Sequence, residues 1–479
     1  MTGAGVLASE RCEARVVRAA SMDTSTPHVP VAIVGGGACG QVAALTLHEA
    51  GIDCVVLERD AVASGSTALS SGFIPAAGTC VQRAAGVADS RGQFAADITA
   101  KAKGRAAPTL VEAYTGAVTA AIDMLSLRHG LDFELLDGFL YPGHSARRMH
   151  ALPQRTGAAL MGALTAAAEA ADVTLLTQAR VCELWCDAAD RMLGVGYLRP
   201  NGQVEHLRCD VLLLACNGFG GNAAMVAAWL PEMQGALYAG HAGNDGSAIA
   251  WGRQLGARLA DLGGYQGHGS WAVPQGALVS WALMMEGGVQ INASGRRFHD
   301  ETQGYSEAAV HVLAQPGGVA WNVFDAPLLE LARGFPDFCE AEAAGAVRSA
   351  LDVAGLARCI GCDKAALAAT LDALDAGGSS PPDPWGRTRR RALTWPLHAV
   401  KVTGALFHTQ GGLDIDVTAR VLRHDGTPLP NLLAAGGAAR GVSGDAVWDY
   451  LSGNGLLSAI AGGHIAAGTV QRLLSKGIP

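Results

Sequence analysis

Apolar residues gather in short dense runs along this chain: Val31 to Val34, Cys54 to Leu57 and Val211 to Leu214. Such runs, bounded by turn residues, predict strands buried on both faces, as in a parallel sheet. Between the first two, Val42 to Ala50 repeats its apolar positions at helical spacing. The first run leads straight into Gly35, Gly37 and Gly40, and the second ends at Glu58. The order is strand, tight turn, helix, strand, acid. Gly35 permits the turn, Gly37 lets the backbone approach a pyrophosphate, and Gly40 lets the helix pack on the strand. The helix N-terminus then faces phosphates, and Glu58 accepts hydrogen bonds from a ribose. These residues point to a dinucleotide site.

Further along, residues 106–128 and 156–171 are Ala-rich with helical periodicity, and Val173 to Leu176 and Val181 to Trp185 read as short strands. Met192 to Leu198 and Val204 to Arg208 predict a hairpin about Pro200-Asn201-Gly202. The run from Val211 enters a second glycine turn at Gly218 to Gly221 and is expected to rejoin the sheet begun at Val31. After a helix from Ser247 to Leu255 the chain changes character. Residues 260–395 hold most of the Trp and mix short helices with short strands, including a helix from Lys364 to Asp375 and a loop at 377–384. The sheet pattern resumes at Gly412, turns at Asp425-Gly426, continues through Leu432 to Gly436, and ends in a helix from about Asn454 to Leu474. The expected fold is α/β: a Rossmann-like domain split in sequence over 29–247 and 396–479, with an inserted α+β cap domain at 248–395. Residues 1–28 read as a flexible extension, with Met22 as an alternative start.

The 479 residues suit two large domains. Net charge is −8 and the single basic cluster is Arg387 to Arg391, which argues against nucleic acid as a partner. No run approaches ~18 consecutive apolar residues, so no membrane span is expected. Residues 1–28 lack the apolar centre of a secretory signal. The 11 cysteines are odd in number and scattered, which predicts reduced thiols and a cytoplasmic location. Cys359-Ile-Gly-Cys362 lacks the following His of a haem attachment, and no second pair completes a zinc site, so no metal is expected.

Residues 63–80 form a small-residue loop suited to lie against a flat ring or a phosphate. With this loop in view, the chain resembles the fumarate reductase, succinate dehydrogenase and 3-ketosteroid dehydrogenase flavoprotein superfamily. Four stretches carry the resemblance. They are the glycine turn with Glu58 and Gly65-Ser-Thr-Ala-Leu-Ser-Ser-Gly72; Leu214-Ala-Cys-Asn-Gly-Phe-Gly-Gly221 with Asn244-Asp-Gly246; Ile291 to Glu301; and His408-Thr-Gln-Gly-Gly-Leu-Asp-Ile-Asp416 with Ala434 to Gly437 and Tyr450-Leu-Ser-Gly-Asn-Gly455. The resemblance implies FAD, a mobile cap, and oxidation or reduction of a carbon–carbon bond beside an activating group. It also implies cofactor contacts from Gly35, Gly37, Gly40, Glu58, Arg59, Ser66, Thr67, Ser71, Gly72, Gly218, Asn244, Asp245, Gly437, Gly453, Gly455 and Leu456.

The departures point to the reaction. Where fumarate reductases carry a proton-delivering arginine this chain has Tyr305, and where a second arginine grips a carboxylate it has Tyr450. The proton-relay Glu and Arg fall at Trp281 and Met284, so that route is absent. Two family histidines match His268 and His408. Paired tyrosines resemble the ketosteroid dehydrogenases, in which one takes the α-proton and the other polarises the ketone. Desaturation then removes a proton from the α-carbon and a hydride from the β-carbon, the hydride passing to flavin N5. A phenol has pKa ~10 and must be lowered to act as the base; Arg296, Arg297 or His299 are the candidates for doing so. Tyr450, with amides from Gly453 to Gly455, would polarise the carbonyl. His268 and His408 are candidate donors, Arg440 a partner for an acid, and Trp281 an apolar wall. The expected substrate is a ketone or, as the alternative, an unsaturated carboxylic acid handled by a fumarate reductase-like enzyme. Electrons are expected to come from, or go to, a separate donor or acceptor. An FAD monooxygenase and a flavin-bound interaction protein are weaker readings.

Overall fold

A computed structural model describes residues 13–137, 140–376, 384–387 and 392–476. Residues 1–12 of the expected extension, 377–383 of the expected loop and 388–391 of the basic cluster lie outside these. The dense apolar runs form one sheet: β1 (Arg15–Arg18), β2 (His28–Val34), β3 (Cys54–Leu57), β4 (Thr174–Leu176), β5 (Arg180–Cys186), β6 (Met192–Leu198) and β7 (Val204–Leu214). Their order across the sheet is β1-β5-β6-β7-β2-β3-β4. β2 is parallel to both β3 and β7, with Val31 opposite Cys54 and Val211. Helix α1 (Ala38–Glu49) makes the crossover from β2 to β3 and is buried from Ala38 to Leu47, as expected of a helix apolar on all sides.

Two local expectations need correction. Residues 15–18 are not a loose tail: β1 adds in parallel to the edge of β5, Arg15 opposite Glu183, and the two side chains form an ion pair. A short Val-Val segment satisfies its backbone on an open sheet edge, and Met22 behind it is buried. The hairpin strand and the run from Val211 are also one continuous strand. The first half of β7 pairs antiparallel with β6, and its second half pairs parallel with β2. Asp210 does not interrupt it, because the ladder to β2 holds the backbone extended on both sides of that residue.

Helix α2 (Pro108–Leu127) is the only described helix long and apolar enough to cross a membrane by length and composition. Its Leu110, Tyr114, Val118, Ala121, Ile122 and Leu125 are buried at helical spacing in the core over the sheet. Beyond it lie β8 (Tyr265–Ala272), β9 (Val289–Asn292), α3 (Tyr305–Leu313), β10 (Val319–Asp325), β11 (Leu397–Thr409), β12 (Pro428–Ala434) and α4 (Asn454–Lys476). β12 returns to the first sheet, Leu432 to Ala434 running parallel to Leu212 to Leu214. β8, β11, β10 and β9 are consecutive neighbours in a second sheet.

The chain divides into two compact units. The first holds the chain up to Leu230, Gly240–Tyr265 and His408–Pro479; the second holds Pro231–Ala239 and Gln266–Phe407. The second unit therefore takes in residues 231–239, ahead of the expected 248–395, and its main stretch starts and ends later than that range. The boundary between the units falls within β8 and within β11. Residues 231–239 join the second unit through Leu237 and Tyr238, which pair with Ala405 and Leu406.

Candidate active site

In the first unit the glycine turn is built by close approach. Gly35 ends β2 with φ +109°, and a Cβ there would lie 2.5 Å from the Ala215 carbonyl oxygen. A Cβ at Gly40 would collide with the Gly35 carbonyl. At Gly37 the added atom would meet only Thr67 Oγ1, 3.8 Å away, so space remains beside the first turn of α1. That turn has no side-chain cap from Gly37, and the Ala38 N–H donates to Thr67 Oγ1 at 3.3 Å. Glu58 is buried; its Oε2 accepts the Gly36 N–H at 2.8 Å and its Oε1 the Asp60 N–H at 2.9 Å. A carboxylate offers about four acceptor positions, so some remain for a ribose hydroxyl. Backbone amides, a helix start that its own Gly37 leaves without a side-chain cap, and the open space beside Gly37 fit the diphosphate of a dinucleotide.

The remaining candidates around this turn are placed as follows. Asn244 Nδ2 donates to Ser66 Oγ at 2.8 Å. Arg59 Nη1 donates to the Gly243 carbonyl at 2.7 Å and to Asp245 Oδ2 at 3.2 Å, so Arg59 and Asp245 engage each other. Gly72 takes φ +72° and Ser71 is half-buried beside it. Side chains at Gly218 and Gly437 would collide with Thr409 Oγ1 and Asn217 Oδ1. Leu456 packs against the core.

In the second unit Tyr305 opens α3, and α3 lies directly on β8. Gly267 and Gly269 allow this: a Cβ on either would come within 2.8 Å of Ala309 or 2.6 Å of Ala308. The Gly267 N–H also donates to Ser306 Oγ at 2.8 Å. The Tyr305 ring consequently stacks on His268, centroids 4.8 Å apart and 16° between planes. Trp281 meets His268 edge-on at 5.9 Å and donates its indole N–H to the Glu301 carbonyl at 3.1 Å. His268 Nδ1 accepts the Ser270 N–H at 3.1 Å, which leaves the ring proton on Nε2. Burial pushes the His268 pKa down to about 3, so the ring is a neutral donor at physiological pH.

The cations expected to tune Tyr305 are engaged elsewhere or absent. Arg297 donates to Glu301 through Nε at 2.9 Å and Nη2 at 2.5 Å, and Arg387 adds Nη1 at 2.8 Å. Burial opposes the charge on Glu301, but its Arg297 hydrogen bonds and the two guanidinium charges outweigh it and hold the pKa at about 2. His299 is pushed down to about 4, chiefly by burial, and is uncharged near pH 7. Its Nε2 donates to Gln290 Oε1 at 2.8 Å. Arg296 is exposed.

The remaining candidates return to the first unit. His408 and Tyr450 meet edge to face at 5.7 Å. A Cβ at Gly455 would sit 2.5 Å from His408 Nε2, so only glycine lets the first turn of α4 lie against the imidazole. Gly453 takes φ +86° just before that turn. His144 Nε2 donates to the Ser452 carbonyl at 2.9 Å, and Asp449, beside Tyr450, is gripped by Arg105. Burial pushes the His408 pKa down to about 4. Arg440, expected as a cation for a substrate acid, binds Asp261 through Nε at 2.6 Å and Nη2 at 3.2 Å, with Asp414 at 3.5 Å. Its charge is matched inside the protein.

Three groups went unread in the sequence. Gln410, Ser443 and Asn454 form hydrogen bonds around His408. Glu301 is bound by two arginines, and His144 holds the loop after Tyr450. Gln410, Asn454 and Glu301 lie in the stretches that carry the resemblance, which was the available signal. Ser443, His144 and the second arginine on Glu301 depend on contacts between distant segments.

A family model for the FAD binding domain matches residues 30–456. NADH:fumarate oxidoreductase of Klebsiella pneumoniae is 27% identical over 452 residues, covering 93% of this chain and 48% of that protein. The chain thus spans about half the length of that relative. The solved open conformation of a flavocytochrome c3 fumarate reductase superposes with TM-score 0.79 at 25% identity, covering 94% of this chain and 79% of the other. The 3-ketosteroid-Δ4-(5α)-dehydrogenase of Rhodococcus jostii, solved with 4-androstene-3,17-dione, superposes with TM-score 0.75 at 25% identity, covering 95% and 99%.

Proposed function

Because the chain belongs to the FAD binding domain family, with FAD as its cofactor, we propose that it is an oxidoreductase acting on a carbon–carbon bond adjacent to a carbonyl. FAD supplies the hydride acceptor or donor for the β-carbon. The chain's own residues handle the proton and the oxygen. Tyr305, with Arg297 committed to Glu301 and His299 neutral, gives the α-proton as a neutral phenol when the bond is reduced and takes it back when the bond is desaturated. Tyr450 and amides of Gly453 to Gly455 hydrogen-bond the carbonyl oxygen, where negative charge develops. Trp281 and its neighbours present an apolar wall to the substrate.

One observation carries this reading: each unit pairs a tyrosine with a neutral histidine, Tyr305 with His268 and Tyr450 with His408. A neutral imidazole polarises a carbonyl by donating a hydrogen bond, without adding positive charge. That chemistry suits a ketone better than a carboxylate, and Arg440, the candidate carboxylate partner, is bound to Asp261. The second reading, a reductase of an unsaturated acid, draws on the fumarate-reducing relative. Electrons exchange with a separate partner. The cytoplasmic reading rests on the odd number and scattered positions of the cysteines in the sequence.

Anaerobic titration of the reduced holoprotein separates the two readings. Reoxidation of the flavin by an enone, and not by a fumarate-like acid, is the expected outcome. Reoxidation by the acid alone would replace the ketone with the second reading.

A further inference from the structure

His408 is held by a chain of side chains that neither the reaction chemistry nor the glycine turn requires. Gln410 Nε2 lies 3.0 Å from His408 Nδ1. Gln410 Oε1 lies 2.7 Å from the Ser443 hydroxyl oxygen, and Asn454 Nδ2 donates to that same oxygen at 2.9 Å. Gln410, Ser443 and Asn454 are all buried, so water does not substitute for a missing partner.

The chain has a direction. An amide NH2 only donates and an amide oxygen only accepts, so with the Asn454 amide set Nδ2 towards Ser443, its Oδ1 buried without a partner, the roles propagate from that end. Asn454 donates to Ser443 Oγ. The hydroxyl hydrogen is left to donate to Gln410 Oε1. The Gln410 NH2 then faces His408 Nδ1 at 3.0 Å, closer than the Thr409 carbonyl oxygen at 3.4 Å that would take an Nδ1 proton, so Nδ1 accepts. An imidazole that accepts at Nδ1 and stays neutral carries its proton on Nε2. Nε2 is the nitrogen beside Gly455, at the start of α4.

We propose that Gln410, oriented by Ser443 and Asn454, is a positioning residue that holds His408 as a neutral Nε2–H donor for the substrate. This rests on the reading that His408 takes part in turnover. The alternative arrangement turns the Gln410 amide over, so that Oε1 accepts from an Nδ1–H and Nε2 becomes a bare acceptor. The two arrangements oppose each other chemically. One offers a hydrogen to a developing oxyanion; the other offers a lone pair and repels it. Partners of this kind fix the tautomer of metal-bound histidines, where their loss costs about 10–100-fold, and the same hydrogen-bond logic applies to a histidine that donates to a substrate.

The test uses the FAD-loaded protein labelled with 15N-histidine, with the His408 signal assigned by its loss in His408→Gln. The wild-type spectrum should show His408 with an unprotonated Nδ1 and a protonated Nε2 from pH 6 to pH 8. Gln410→Met should mix the tautomers and lower kcat/KM about tenfold, with flavin absorbance and melting temperature close to wild type. Gln410→Glu should draw a proton onto Nδ1, give a doubly protonated ring near neutral pH, and add an ionisation to a pH–rate profile that is otherwise flat there. Should Gln410→Met fold poorly, Gln410→Glu and the wild-type spectrum still decide. A protonated Nδ1 in the wild type, or a His408 spectrum indifferent to both substitutions, would overturn the relay. Normal turnover in His408→Gln would instead remove the reading on which the relay's purpose rests, leaving the tautomer measurement to stand alone.

Discussion

His268 and His408 are both neutral imidazoles beside a tyrosine, and they are held in opposite ways. His268 accepts from a backbone amide, that of Ser270, and lies flat against Tyr305. His408 accepts from a side chain, Gln410, and meets Tyr450 edge-on. A backbone donor in a strand survives every substitution except proline, so the His268 tautomer belongs to the fold. The His408 tautomer belongs to three side chains and changes when any of them changes. The first unit therefore carries the adjustable histidine and the second the fixed one. Substrate preference is expected to drift around Gln410 sooner than around Ser270.

The largest expected effect falls on the fixed side. Tyr305→Phe keeps the stack on His268 and removes only the hydroxyl, so kcat should drop about 10²–10⁴-fold with KM little changed. Steady-state kinetics at several pH values check it. Next comes the support beneath Trp281. Glu301→Gln leaves Arg297 and Arg387 buried without their carboxylate, which should cost about 3–5 kcal/mol. Thermal melting reads that loss directly.

Acid tests both histidines together. In the folded protein His268 titrates at about 3 and His408 at about 4, while unfolded histidine titrates near ~6.5. Below the unfolded value the unfolded chain binds protons that the folded chain refuses. Stability should then fall as pH drops from ~6.5 towards 4, by up to about 1.4 kcal/mol per pH unit for each histidine. Above about pH 8 these groups should contribute no slope. His408→Gln should flatten the acid limb by one proton. The smallest effect is Ser270→Ala. It keeps the N–H that holds His268 and loses the 2.8 Å bond from Asn322, so about 1 kcal/mol of stability should go while the His268 tautomer and turnover stay as they were.

What the sequence revealed follows the reach of each interaction. Gly35, Gly40 and Glu58 lie within a few turns of chain and their spacing is their geometry, so the dinucleotide end could be read directly. Arg440 could not. Its partner Asp261 is 179 residues away, and nothing at Arg440 announces that its charge is already matched. The same holds for Arg297 beside Glu301, because the second arginine, Arg387, arrives from another segment. Residues 15–18 look like a tail because a two-valine strand has no pattern of its own, and its partner β5 lies far along the chain. The tyrosines and histidines were visible by resemblance. Their charge states were not, since these depend on burial that forms only in the folded protein.

The central claim is that Tyr305 moves the α-proton while the β-hydrogen leaves as hydride. The direct measurement is anaerobic bleaching of the oxidised flavin by a saturated ketone, followed by stopped flow with the substrate deuterated at the α- or the β-carbon. The account predicts bleaching that slows on β-deuteration and that falls at least about a hundredfold in Tyr305→Phe. Bleaching at the wild-type rate in Tyr305→Phe, with no isotope effect from either carbon, would contradict it.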